Sequence, residues 1–135
     1  MRCNTMWLGP PDLGTLIAPN DRTGSSGTFG ETELFAFNVT QGTDRASKLL
    51  GSLRGYAIQT SSTADFRGVE VEALAYDDGF VNGTINLQGL INVGTNEIAI
   101  IGGTGDFRGA RGYGIIAFVN STATLALFHH HLFFL

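Results

Sequence analysis

The chain has 135 residues, of which 43% are hydrophobic and 15% charged, a composition typical of one globular domain with its own core. The formal net charge of −4 and the scattered basic residues exclude nucleic acid as a partner, because phosphate binding requires concentrated Lys and Arg. No apolar run approaches the roughly 18 to 20 residues of a membrane-spanning helix, so we expect no membrane partner.

The beginning of the chain differs from the rest in composition and in the pattern of its apolar residues. It contains Gly9-Pro10-Pro11, Pro19-Asn20 and Gly24-Ser25-Ser26-Gly27 without sustained periodicity. Such clusters of turn-forming residues predict a flexible N-terminal arm over residues 1–27. We therefore place the folded domain over residues 28–135.

From Thr28 onward the sequence is a series of short β-like runs separated by turn-forming residues, and no run has helical spacing of apolar residues. In Val69–Tyr76 the alternation is clearest, with Glu70 and Glu72 on the same face as Leu74 and Tyr76. The seven runs are Thr28–Phe37, Lys48–Thr60, Val69–Tyr76, Phe80–Asn92, Asn96–Ile101, Gly112–Val119 and Thr122–Leu132. Evenly spaced short strands predict a sandwich or a closed barrel, and a closed barrel can enclose a ligand.

The glycine-rich stretch Ile98–Gly109 is similar to the opening of a dinucleotide-binding unit. That motif requires a helix next, whose N-terminal amides hold the pyrophosphate. Here Gly112, Gly114 and β-branched residues follow, which form a poor helix. We therefore predict no nucleotide and no other cofactor.

Three segments resemble motifs of the plant dirigent family. Ser47–Tyr56 resembles its S-K-x-V-G-x-x-x-G-x-Y segment, and Asn82–Gly89 resembles its Y-N-G-S-T-L-x-x-x-G hairpin. Gly102–Tyr113 resembles its G-G-T-G-D-F turn and the A-R-G step that follows. The segments come in family order and cover roughly residues 28–120.

The resemblance implies an all-β fold, a single antiparallel barrel of about eight strands of the dirigent and allene-oxide-cyclase-like type. It also implies a secreted protein of the plant apoplast that forms a homo-oligomer, a dimer or trimer. Such proteins do not oxidise anything themselves. A separate oxidase, a laccase or peroxidase, makes phenoxy radicals of the coniferyl alcohol type, and the barrel directs the regiochemistry and stereochemistry of their coupling in lignan and phenylpropanoid biosynthesis.

The same resemblance implies site residues. Asp106 matches the acid of the G-T-G-D-F turn and Arg111 matches the arginine of the A-R-G step, so we predict both as catalytic. An acid beside an arginine can protonate a quinone-methide oxygen and stabilise developing charge. The alternative that Asp106 only caps a turn, with Arg111 as its surface partner, stays open.

If Asp106 and Arg111 act on a ligand, both must face the barrel interior at one end. Tyr56 and Tyr113 are the predicted substrate-binding aromatics. We expect Tyr113 to face the interior together with Ile115, Ala117 and Val119.

The chain also departs from the family pattern. Ala36–Thr40 has no carboxylate where the family has Asp-Asp-x-Leu-Thr, and Val81 replaces the tyrosine before Asn-Gly. These departures favour an altered or lost coupling preference. Two alternative functions follow: a cyclase or dehydratase acting on a phenolic or oxylipin substrate through Asp106 and Arg111, and a degenerate binding barrel.

Two further sets of residues concern processing and metals. N-x-Ser/Thr sequons at Asn38, Asn82 and Asn120 predict glycosylation in the secretory pathway, although no signal peptide is visible in this chain. His129 and His131 would share a strand face, but no third ligand is apparent by spacing, so no metal site is predicted.

Overall fold

The computed structural model describes residues 2–9, 15–17, 29–44, 46–61, 67–121 and 126–135. These residues form nine β-strands. The strands are, in chain order, β1 (Arg2–Gly9), β2 (Thr15–Ile17), β3 (Thr32–Thr40), β4 (Leu49–Gln59), β5 (Gly68–Asp77), β6 (Asn82–Ile91), β7 (Asn96–Gly105), β8 (Gly112–Ser121) and β9 (Ala126–Phe134). The described part of the chain contains no helix with the length and hydropathy needed to cross a bilayer.

The strands close into a ring. From β3 to β9 each strand pairs antiparallel with the next, and β1 pairs antiparallel with both β9 and β3. The short strand β2 pairs with the first residues of β3, on the same edge that β1 covers further along. The ring therefore has eight strands, which confirms the predicted single antiparallel barrel of about eight strands.

Two segments of the predicted flexible arm belong to this barrel. Arg2–Gly9 closes the ring between β9 and β3, and Thr15–Ile17 extends β3. The sequence predicts a flexible arm over residues 1–27, whereas the structure places these two segments in strands, because the free edges of β9 and β3 need partners. The other residues of that arm lie outside the described residues.

Side chains that alternate toward the inside of the ring form one apolar core. The fully buried members come from six strands: Val39, Leu53, Leu74, Ile85, Leu87, Ile98 and Leu132. On β8, Ile116 belongs to this core, whereas Tyr113 stacks on Phe133 of β9 with ring centroids 4.8 Å apart. The prediction that Tyr113, Ile115, Ala117 and Val119 face the interior is therefore wrong, and the residues of the opposite parity do so.

Backbone packing is very tight where β8 begins beside the end of β9. Gly112 has φ +150°, and a Cβ atom there would lie 1.9 Å from the Phe133 carbonyl oxygen. Only glycine fits this position. Gly102, on β7, has open space where its Cβ would be.

The barrel has two ends of different construction. The turn end carries the β5–β6 connection (residues 78–81) and the β7–β8 connection (residues 106–111). The mouth end carries the β6–β7 connection (residues 92–95) and the first residues of β3 and β5. The site predicted from the sequence lies at the turn end, and the interior cavity opens at the mouth end.

Candidate functional site

A cavity of about 250 Å³ opens at the mouth end, and most of its lining is apolar. Its walls combine side chains from β3, β4, β5, β8 and β9 with the β6–β7 connection. Two groups of residues give the cavity its character: the phenylalanines Phe35, Phe37, Phe118 and Phe128, and the titratable residues Glu33, Glu70, Glu72 and His130.

The four phenylalanines form a continuous aromatic wall. The rings of Phe35 and Phe37 stack with centroids 5.5 Å apart, and Phe37 lies 5.8 Å from Phe128. Phe128 in turn meets Phe118 edge to face at 5.6 Å. Ring pairs at these separations pack favourably and present apolar surface that suits an aromatic ligand.

The floor of the cavity, in contrast to its aromatic wall, consists of polar side chains. Glu72 and His130 are 2% and 3% exposed, and the Nε2 atom of His130 lies 3.4 Å from a carboxyl oxygen of Glu72. Their strands, β5 and β9, stand on opposite sides of the eight-stranded ring, so the two side chains meet across the interior. The next inward residues toward the turn end are Leu74 and Leu132, both fully buried.

Hydrogen bonding on this floor is incomplete. Within the described part of the chain, Glu72 Oε2 has no hydrogen-bond partner, and neither has either ring nitrogen of His130. Buried polar atoms in native proteins are nearly always paired with protein, water or ligand. The floor therefore has hydrogen-bonding capacity available to a molecule in the cavity.

Burial controls the protonation of this cluster. Burial first, and then the hydrogen bond to Glu72 and the charge of Glu72, together raise the pKa of Glu70 to about 9. Burial also raises the pKa of Glu72, although the hydrogen bond with Glu70 opposes the rise, and it lowers the pKa of His130 to about 4. Burial therefore favours the neutral forms of both Glu72 and His130, which disfavours an ion pair between them.

Glu33 adds a third carboxyl group at the rim of the cavity. Its pKa is raised first by burial and then by the negative charges of Glu70 and Glu31. Glu31, two residues earlier, is itself buried. Carboxyl groups thus predominate among the titratable side chains at the mouth of the cavity.

The β6–β7 connection forms the rest of the rim and is held by one side chain. The amide of Asn96 accepts a hydrogen bond from the Asn92 N–H at 2.8 Å and donates to the carbonyl oxygens of Asn92 at 2.8 Å and Gly94 at 3.1 Å. These three bonds close the turn on itself.

Asp106 lies at the other end of the barrel and does not face its interior. The side chain is exposed, and its carboxylate accepts a hydrogen bond from the Asn82 N–H at 2.8 Å. In return, the Asp106 N–H donates to the Asn82 carbonyl oxygen at 2.9 Å. Asp106 therefore joins the start of β6 to the β7–β8 connection, and its carboxylate does not take the interior position that action on a ligand in the barrel would require.

Arg111 is also exposed, and it shares a shallow surface depression with Asp106. The inner side of this end is filled by aromatic rings. Tyr76 meets Phe107 edge to face at 5.8 Å, and Phe107 stacks on Phe134 at 6.0 Å. The structure thus brings Asp106 and Arg111 to one end, as predicted, but outside an aromatic plug.

The predicted substrate-binding tyrosines lie on the outer surface. Tyr56 is 39% exposed, and its neighbours across the strands are Leu34 and Val71. Tyr113 lies on the outer face with Phe133. Neither lines the cavity, and their contact with a ligand stays a prediction.

The remaining predictions concern sequons and metals. Asn82 is exposed at the start of β6, Asn38 is half-buried in β3, and the side chain of Asn120 lies outside the described residues. Glycosylation itself stays a prediction. His129 and His131 do share a face, with ring centroids 5.9 Å apart, and within the described ranges no group of three His, Cys, Asp or Glu side chains is arranged to hold a metal ion.

The comparisons with known proteins agree with this architecture. A family model described as "Dirigent-like protein" matches residues 8–134. The chain belongs to the dirigent family. Its cavity at the mouth end is therefore a site in a dirigent barrel.

Individual relatives are known in sequence and in structure. Pterocarpan synthase 1 of Glycine max is 36% identical over 111 residues, which cover 78% of this chain and 59% of that protein. Dirigent protein 11 of Arabidopsis thaliana is 38% identical over 104 residues, covering 73% of this chain and 53% of that protein. The chain thus spans little more than half the length of these curated relatives.

Solved structures resemble the whole described fold. The structure of the pterocarpan synthase dirigent protein PsPTS1 superimposes with a TM-score of 0.84 at 26% identity, covering 98% of this chain and 93% of that one. The structure of the pterocarpan synthase dirigent protein GePTS1 gives the same TM-score at 25% identity, with 98% and 88% covered.

Proposed function

We propose that this dirigent barrel binds a phenolic radical in its mouth-end cavity and directs the stereochemistry of its coupling. The observation that carries the proposal is a cavity walled by four phenylalanines and open at one end only, since the other end is filled by Tyr76, Phe107 and Phe134. A ring packed on that wall has one face covered and the other turned toward the mouth.

Covering one face is sufficient for stereocontrol. A second radical that approaches from the mouth meets only the uncovered face of the first, so the barrel need not oxidise either partner. The volume of about 250 Å³ is near the lower limit of small-molecule pockets and suits one phenylpropanoid. The proposed oxidant is therefore external, a laccase or peroxidase that supplies the radicals.

The test is an incubation of the full chain with coniferyl alcohol and a laccase, followed by chiral chromatography of the dimers. We expect an enantiomeric excess only when the protein is present. Phe118→Ala removes part of the wall and should reduce that excess, whereas Phe80→Ala removes an exposed ring at the turn end and should not. Racemic dimers under every condition would overturn the proposal.

A second function is favoured by the protonation of Glu70. A carboxyl group that keeps its proton near neutral pH can donate it to a leaving hydroxyl group, and neutral His130 nearby can accept one. In such a dehydration the benzylic C–O bond of a phenolic alcohol breaks, water leaves, and an internal hydroxyl group closes a ring on the resulting quinone methide. Two relatives bear the name pterocarpan synthase.

The oxidase separates the two functions. Ring closure of a benzylic phenolic alcohol needs no oxidant, so product that forms without laccase and disappears in Glu70→Gln would establish the second function. Product that requires laccase and persists in Glu70→Gln would establish the first.

A further inference from the structure

We propose that the ligand of this cavity carries a protonated amine as well as an aromatic ring, with the ammonium group at Glu70 and Glu72 and the ring on the phenylalanine wall. The inference deepens the proposed function, on whose cavity it rests, by naming the substrate class as phenolic amines. Charge, hydrogen-bonding capacity and aromatic geometry each support it.

The titratable side chains that line the cavity are nearly all acidic. Glu33, Glu70 and Glu72 contribute three carboxyl groups, and no described lining residue is Lys or Arg. The walls from β4, β6 and β8 add no titratable side chain, and β9 adds only His130. Among the three carboxyl groups Glu72 is the fully buried one, and its ionised form is costly unless a ligand supplies a cation.

The floor atoms that have no hydrogen-bond partner in the described part of the chain are mainly acceptors. Glu72 Oε2 is buried without a partner in the described part of the chain, and a neutral His130 ring has one nitrogen that only accepts. A phenol or alcohol offers one donor to these groups, while an ammonium group offers three. The floor therefore matches an ammonium group better than a hydroxyl group.

The wall supports the same ligand from the other side. Phe35, Phe37, Phe118 and Phe128 are in continuous ring contact along one side of the cavity. Aromatic faces attract cations within about 6 Å and also stack on a ligand ring. A metal cation does not fit, because within the described ranges no three suitable side chains converge to hold one.

Such a ligand must change the protonation of the floor. Without it, burial keeps Glu70 protonated, so binding of an ammonium group requires that carboxyl group to ionise. The proton then leaves to the solvent. Binding of a neutral phenol has no such requirement, so proton release distinguishes the two ligand classes.

The experiment compares tyramine with tyrosol, which differ only by an amino and a hydroxyl group at the end of the same side chain. Titration calorimetry of the full chain at pH 7.5 should show tyramine binding at least about ten-fold more tightly. Repeating the titration in buffers of different ionisation enthalpy should show about one proton released with tyramine and none with tyrosol.

Matched variants locate the effect. Glu72→Gln keeps the shape of the buried side chain and should remove most of the preference for tyramine over tyrosol. Glu97→Gln removes the same charge from an exposed position on β7 and should change neither affinity. Far-UV circular dichroism of both variants verifies the fold.

Equal affinities for tyramine and tyrosol, or tyramine binding without proton release, overturn the inference and leave the phenolic cavity of the proposed function intact. If neither compound binds, the inference also fails. Stereoselective coupling of coniferyl alcohol is a separate readout, and its loss overturns the proposed function itself.

Discussion

The two ends of the barrel use acidic residues in opposite ways. At the turn end Asp78 and Asp106 accept hydrogen bonds from nearby backbone N–H groups, and the two Asp78 bonds, from Val81 and Phe80, lower the pKa of Asp78. At the mouth end Glu70 and Glu72 line a cavity walled by phenylalanines, and their pKa values rise. The carboxyl groups of the turn end thus organise turns, while those of the mouth end line a cavity in which burial favours their protonated form.

The difference teaches that a motif and a cavity need not coincide. The G-T-G-D-F turn and the A-R-G step resemble the family most closely, yet in this chain they enclose a plug of Tyr76, Phe107 and Phe134. The opposite end, which no motif marks, holds the enclosed space. Each of the following measurements tests that separation.

The largest effect should come from filling the backbone contact at the turn end. Gly112→Ala places a Cβ atom 1.9 Å from the Phe133 carbonyl oxygen at a φ of +150°. Separating β8 from β9 there should cost more than about 3 kcal/mol of unfolding free energy, measured by urea denaturation. Gly102→Ala enters open space and should cost less than about 1 kcal/mol, and equal losses would contradict this packing.

A pH-dependent effect should come from Glu70 at the mouth end. Its pKa rises from 4.5 in the unfolded chain to about 9 in the barrel, so above pH 4.5 the folded state binds more protons and stability falls as pH rises toward 9. His130 acts oppositely, since its lowered pKa of about 4 makes stability rise with pH up to 6.5. Between pH 6.5 and 9 His130 no longer contributes, and folding stability falls as the carboxyl group of Glu70 ionises.

Glu70→Gln should therefore be more stable than the wild type at pH 8.5 and differ less at pH 6.5. The substitution should reduce the slope of unfolding free energy against pH by up to about 1.4 kcal/mol per pH unit. Guanidinium denaturation at both pH values measures it, with Glu97→Gln as the exposed control. A wild type whose stability is flat over this interval would place Glu70 in contact with bulk water.

The smallest effect should come from Asp106→Asn. The variant weakens the acceptor for the Asn82 N–H, so we expect a loss of about 1 kcal/mol in unfolding free energy. Coupling stereoselectivity should not change, because the residue lies outside the plug. Selectivity lost at unchanged stability would instead establish the catalytic role that the sequence motif predicts for Asp106.

Strand positions were predictable from the sequence because turn-forming residues separate the β-like runs. All seven runs from Thr28 onward correspond to strands, and Asp77-Asp78-Gly79 forms the predicted connection. β1 was missed because Arg2–Gly9 shows no alternation and gains its stability from pairing with β9, more than 100 residues away.

The candidate site was harder to predict because strand faces in this chain are ambiguous. On β8, Ile115 and Ile116 are adjacent apolar residues, so the sequence does not reveal which one faces inward. On β5 the signal was present: Glu70 and Glu72 share a face with Leu74 and Tyr76. Two glutamates on a core face are a mark of a buried polar site, and only the ring closure shows that His130 lies opposite.

The Asn96 turn at the rim has a thermodynamic consequence. Since its three hydrogen bonds already fix the β6–β7 connection, a ligand that enters the mouth does not have to order that connection. Little conformational entropy is then lost on association, and the heat-capacity change should reflect only the apolar area that ligand and wall remove from water. The rim behaves as a fixed frame, so selectivity among ligands depends on shape and charge rather than on induced closure.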